Sequence, residues 1–141
     1  MRTRCIPAPV TDLVSLAAAT AVAACFAAGC SKSERPPLGV VGGTVTLDGR
    51  PLPLATVCFT PDGRGRTSIG TTAPDGRYEL TYLRDIAGAN LGRHAVRILT
   101  APDDARGRER LPKRYHSDTV LEATVAAGRN TCDFALTTET R

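Results

Sequence analysis

Three Asp-Gly pairs, Asp48-Gly49, Asp62-Gly63 and Asp75-Gly76, cut the middle of the chain into short runs in which apolar and polar residues alternate. Asp tolerates a reversing backbone and Gly supplies positive φ, so each pair is a strong turn signal. Around the first pair, Val45 and Leu47 alternate with Thr44 and Thr46. Beyond it, Ala55, Val57 and Phe59 alternate with Thr56, Cys58 and Thr60. This period of two is that of half-buried strands. Residues 43–61 therefore read as two strands meeting at a tight corner. Pro51 and Pro53 cannot donate to a ladder, so the residues just after the corner are connector or sheet edge.

The pattern recurs along the chain. A first strand covers 40–47, and its paired glycines, Gly42 and Gly43, suggest a bulge or a close backbone approach. Residues 66–72 form a weaker strand, polar enough to be an edge. Residues 77–82 alternate cleanly, with Tyr78, Leu80 and Tyr82 on one face. Residues 83–91 lapse into a connection, and 92–98 resume with His94, Val96 and Ile98 aligned. After a long charged loop at 100–110, Leu121, Ala123 and Val125 share a face, and Cys132, Phe134 and Leu136 share another. Seven short strands with no helical period predict an all-β fold, a seven-stranded antiparallel β-sandwich. With 141 residues, aromatics at 4% and no Trp, one domain with a core of Val, Leu, Ile and Ala fits the supply.

The first thirty residues have the layout of an export signal. Arg2 and Arg4 precede an uncharged, Ala-rich apolar run over 13–28. The run closes in Phe26-Ala27-Ala28-Gly29-Cys30, which resembles the lipobox of bacterial lipoproteins, where the cysteine is acylated and becomes the new N-terminus. The expected organisation is a lipoprotein signal peptide at 1–29, a flexible tether at 30–38 carrying lipidated Cys30, and a β-sandwich domain at 39–138. An uncleaved membrane helix is the rival, but 13–28 falls short of the roughly 20 residues a spanning helix needs. The resemblance implies several acyl chains on Cys30. Each buried CH₂ contributes about 0.8 kcal/mol, so anchoring would be stable. The protein would then face the periplasm from a membrane in the cell envelope, and Ser31 after the cysteine favours the outer membrane over the inner.

Three segments carry a second resemblance. Val45-Thr-Leu-Asp-Gly-Arg-Pro-Leu-Pro-Leu-Ala-Thr-Val57, Thr72-Ala-Pro-Asp-Gly-Arg-Tyr-Glu-Leu80 and Gly92-Arg-His-Ala-Val-Arg-Ile98 look like the carboxypeptidase regulatory-like domain, a transthyretin-like (prealbumin-like) sandwich. Small planctomycete lipoproteins carry one such domain behind a lipobox. The resemblance covers roughly 39–138. It departs from the family at His94, where Tyr is common, and at Cys132, where a larger apolar residue is expected.

The candidate chemistry is sparse. His94 and His116 are the two imidazoles, and Ser68, Ser117, Asp103 and Asp118 could complete a hydrolytic set on paper. No G-x-S-x-G elbow is present. His94 shares the parity of Val96 and Ile98 and reads as a packed or edge residue, and His116 reads as a loop residue facing water. One hydrolase, acting on 5-hydroxyisourate, shares the transthyretin-like fold and ends in Tyr-Arg-Gly-Ser; this chain ends Leu136-Thr-Thr-Glu-Thr-Arg141. Asp48, Asp62 and Asp75 each bring one carboxylate, too few for calcium, so no metal or cofactor is expected. Residues 63–70 lack the G-K-[ST] of a phosphate cradle.

The net charge of +4 is spread along the chain and does not point to nucleic acid. Arg106, Arg108, Arg110, Lys113 and Arg114, beside Tyr115, form a basic cluster that could dock an anionic envelope polymer or lipid head group. A solvated loop in a chain where Arg is the default cation is the preferred explanation. By strand parity Cys58 points outward and Cys132 inward, so no disulfide and two thiols are expected, with Cys5 and Cys25 leaving with the signal. The expected function is a non-catalytic, lipid-anchored module that binds or scaffolds an envelope protein or polymer. A transthyretin-like hydrolase or enzyme accessory in the periplasm is the alternative.

Overall fold

A ten-residue strand, Leu38–Leu47, lies at the centre of one of two sheets in the computed structural model, which describes residues 2–4, 6–7, 36–101 and 108–139. In chain order the strands are β1 (Arg2–Arg4), β2 (Ile6–Pro7), β3 (Leu38–Leu47), β4 (Arg50–Pro51), β5 (Thr56–Pro61), β6 (Ser68–Thr71) and β7 (Arg77–Glu79). There follow β8 (Thr81–Leu83), β9 (Ile86–Ala87), β10 (Ala89–Asn90), β11 (Gly92–Leu99), β12 (Leu121–Val125), β13 (Gly128–Thr131) and β14 (Phe134–Leu136), with a 3₁₀ turn at Lys113–Tyr115. The signal run, Cys30 and Arg106 lie outside the described residues. Among the described residues no helix is long and apolar enough to cross a membrane.

The fold is all-β, in two mainly antiparallel sheets that do not close into a barrel. The first runs β1-β12-β11-β5-β6-β8-β9. In the second, β3 is flanked on one side by β10, β7 and β4 and on the other by β13 and β14, with β2 outside β13. Three pairings are parallel, β1 with β12 and both β13 and β14 with β3. They modify the purely antiparallel expectation; the last two arise because the chain crosses from the first sheet to the second between β12 and β13 and then runs in the direction of β3.

The inner faces meet in one core. Val41, Val45, Tyr78, Phe134 and Leu136 from the second sheet pack with Val57, Phe59, Val96, Ile98, Leu121, Ala123 and Val125 from the first, all buried. Each large aliphatic or aromatic side chain so buried contributes about 1.5–3 kcal/mol. Phe59 meets Phe134 edge to face at 6.1 Å, which joins the sheets through an aromatic pair.

The Asp48-Gly49 corner behaves as its residues require. Asp48 at φ 50 and Gly49 at φ 79 form a primed two-residue turn that sets Leu47 opposite Arg50. It does not pair the two strands it precedes and follows. It folds the short edge strand β4 back on β3, after which the chain passes to β5 in the other sheet. The Asp48 carboxylate accepts from Thr138 N at 3.0 Å and Thr138 Oγ1 at 2.8 Å, and these bonds hold its pKa below the ordinary carboxylate value. The paired glycines do mark a close approach, since a Cβ on Gly43 would lie 2.0 Å from the Cys132 carbonyl oxygen.

Three strand expectations change. Residues 77–82 are not one strand but two, and Leu80 is where the chain changes sheet: β7 pairs with β3, whereas β8 pairs with β6. Tyr78 is therefore buried and Tyr82 only half-buried. The strand at 66–72 is not an edge, because β8 covers it at Ile69 opposite Thr81. The supposed connection at 83–91 holds β9 and β10. At the other side of the molecule, residues 2–4 pair with β12 and residues 6–7 with β13, contacts that no periodicity announced.

Candidate functional site

Side chains on a strand alternate between faces, so a glycine facing outward leaves a gap in the outer surface of a sheet. Gly42 does this on β3. In register with it stand Glu79 on β7 and Thr131 on β13, while Arg77 stands opposite Thr44 and Arg129 opposite Val40. The result is a furrow of 660 Å³ on the outer face of the second sheet, floored by Gly42 and Gly43. Two strand spacings separate its walls, roughly 10 Å between backbones.

The charges in the furrow differ in their commitments. Arg77 is drawn toward Asp75 at 3.6 Å, an exposed contact of small energetic weight. Asp133 accepts from Thr44 N at 2.7 Å. Among the described residues, Arg129 and Glu79 form no ion pair or side-chain hydrogen bond, and they stand one on each wall. Beneath the floor, burial and then the negative charge of Asp133 push the Tyr78 phenol above its ordinary pKa. It stays protonated and donates to the Cys132 carbonyl at 2.7 Å. The arrangement can hold a ligand by two opposite charges over exposed backbone.

The basic cluster is only partly gathered. Arg108, Arg110 and Lys113 are exposed. Arg114 is engaged: its Nη2 donates to Thr137 O at 2.6 Å and Glu139 O at 2.5 Å, and its guanidinium lies 4.8 Å from the Tyr115 ring centroid. That residue ties the 3₁₀ turn to residues 137–139.

Comparison with family models, curated proteins and solved structures yields no match.

The other candidates are placed as follows. His94 is buried as its parity required, with its ring 5.7 Å from Phe59 and Nδ1 3.1 Å from Gly92 O. Burial lowers its pKa against the smaller raising effects of Gly92 and Asp62, so it is a neutral core residue. Ser68 lies two strands away across β5 and does not couple to it. His116 differs from expectation in being half-buried. Its Nε2 lies 3.2 Å from Leu111 O and its Nδ1 2.7 Å from Ser117 Oγ, so the ring donates to the carbonyl and accepts from the hydroxyl. Asp103 falls outside the described residues.

The cysteines require a correction. Cys58 and Cys132 do point to opposite faces, but Cys132 is disulfide-bonded, and its partner lies outside the described residues. Strand parity bears only on a bridge between these two residues and says nothing of Cys5, Cys25 or Cys30.

Sequence reasoning also missed two organising side chains. Glu109 receives Thr100 Oγ1 at 2.6 Å and the amides of Thr100, Ala101, Arg110 and Leu111. Burial would raise its pKa, but these bonds prevail and hold it at about 2. Asn130 accepts from Ala126 N at 3.0 Å and donates to Ala126 O at 2.8 Å, which fixes the crossing between β12 and β13.

Proposed function

We propose that the chain is a non-catalytic, lipid-anchored module of the cell envelope that binds an envelope protein or polymer in the furrow over Gly42. The domain is read as a seven-stranded, transthyretin-like sandwich of the carboxypeptidase regulatory-like kind. Support for that reading comes from the two sheets with a shared core and from the three segments that resemble the family. Membrane attachment is assigned to Cys30 after removal of residues 1–29, with the domain facing the periplasm. Nucleic acid is not a partner in this reading.

The observation that carries the binding role is the pair of charges Arg129 and Glu79, which have no side-chain partner among the described residues and stand on opposite walls of the glycine-floored furrow, two residues apart along β3. A polar ligand with both donor and acceptor groups suits such walls. Titration with envelope polymer fragments, read by thermal shift, tests the role: ligand at 100 times its dissociation constant stabilises by about 2.7 kcal/mol. Arg129→Ser should remove most of the shift, and an unchanged shift would move the site elsewhere. The anchor is tested by labelling with a fatty-acid analogue, which should mark the protein and not its Cys30→Ala variant.

A second reading has one observation in its favour. The hydrogen bond between Ser117 Oγ and His116 Nδ1 is the start of a nucleophile and base, with Leu111 O orienting the ring. A periplasmic hydrolase of this kind would lose ester turnover on Ser117→Ala. Turnover that persists in that variant would dismiss it.

A further inference from the structure

A strand at the edge of a sheet carries a row of N–H and C=O groups with no ladder partner, and such a row recruits another strand. Apart from residues 2–7, β12 is the outer strand of the first sheet and β13 lies outermost beside β3 in the second. The two edges are adjacent in space because they are consecutive in the chain, and the Asn130 side chain locks the crossing between them. Residues 2–4 occupy the first edge and residues 6–7 the second. Arg2, Thr3 and Arg4 run parallel to β12 opposite Glu122, Ala123 and Thr124; Ile6 and Pro7 run antiparallel to β13 opposite Thr131 and Asn130.

We infer that β12 and β13 form a strand-accepting edge pair, closed by residues 2–7 in the uncleaved chain and open, once these are removed, to an extended peptide segment of another protein. The inference rests on the lipoprotein reading above and on reduction of the Cys132 disulfide by a thiol, since cleavage before Cys30 and loss of that bond are together what removes residues 2–7. The register defines the occupant. It must run from parallel pairing on β12 to antiparallel pairing on β13 within six residues, and it places basic positions opposite Glu122 and Thr124. On β12, Leu121, Ala123 and Val125 face the core and Glu122 and Thr124 face outward, so the entering strand extends a layer that is already half apolar. Affinity would come from main-chain bonds and selectivity from alternate positions, as in strand addition generally.

The test uses the 141-residue chain with residues 31–35 replaced by a protease recognition sequence, folded before it is cut. The released piece is separated under reducing conditions, because Cys132 is disulfide-bonded. Hydrogen exchange is read at residues 121–125 and 128–131. These amides should exchange at least tenfold faster after release. A synthetic peptide of residues 1–9 with Cys5→Ser should restore the slow exchange, and a scrambled peptide should not. In the uncut chain, Thr3→Pro should accelerate residues 122–124 alone. Unchanged exchange on release, or equal protection by the scrambled peptide, would overturn the inference. Concentration-dependent self-protection of the cut domain would replace the foreign peptide with a second copy and overturn the stated occupant. Failure of fatty-acid labelling at Cys30 would sink the processing step without altering any of these exchange rates.

Discussion

Glu109 is the residue on which the loop from Thr100 to Leu111 closes, and its chemistry makes that closure pH-dependent. Its pKa falls from 4.5 to about 2 on folding, so the unfolded chain takes up the proton first as pH drops. Its stabilising contribution is complete above pH 4.5 and is lost as pH falls toward 2. Urea denaturation at pH 6, 4 and 2.5 should show this fall, and Glu109→Gln should flatten it. At neutral pH, Glu109→Ala should cost about 1.5–3 kcal/mol, the range for hydrogen bonds to a charged group. Glycines supply a sharper contrast. Gly43→Ala would press a methyl group against the Cys132 carbonyl and should destabilise by about 3 kcal/mol, whereas Gly63→Ala meets nothing within 4 Å and should be close to neutral. The close approach at Gly43 was legible in the paired glycines. The role of Glu109 was not, because its partners are backbone amides brought near only when the loop returns.

At the scale of elements, Tyr78 shows how a strand is held to its neighbour. Tyr78→Phe removes the donor to the Cys132 carbonyl without changing the ring, and thermal denaturation should register a loss of about 1–3 kcal/mol for a buried acceptor left unmet. The strands with clear alternation, β3, β5, β11 and β12, could be read from residue type, since parity alone predicts that Val45, Phe59, His94 and Ala123 point inward. What parity does not encode is which strand lies beside which. The alternation of Tyr78, Leu80 and Tyr82 is the same whether the chain stays in one sheet or changes sheet at Leu80. The two-residue strands β9 and β10 are too short to show a period at all. The furrow was missed for a related reason: its residues come largely from β3, β7 and β13, and only their lateral order turns Gly42 into a gap between Glu79 and Thr131.

For the whole molecule, the proposed function joins a membrane anchor at Cys30 to a binding surface on the outer face of the second sheet. The exposed loop cations Arg108 and Arg110 offer a competing surface, and a separate measurement can divide the two. The decisive experiment is co-sedimentation with isolated envelope material in a Cys30→Ala background, so that no acyl chain contributes to retention. Glu79→Gln combined with Arg129→Ser should lower retention at least tenfold, while Arg108→Ser combined with Arg110→Ser should leave it within twofold. Retention that survives the furrow pair and is lost with the loop pair would contradict the proposed function.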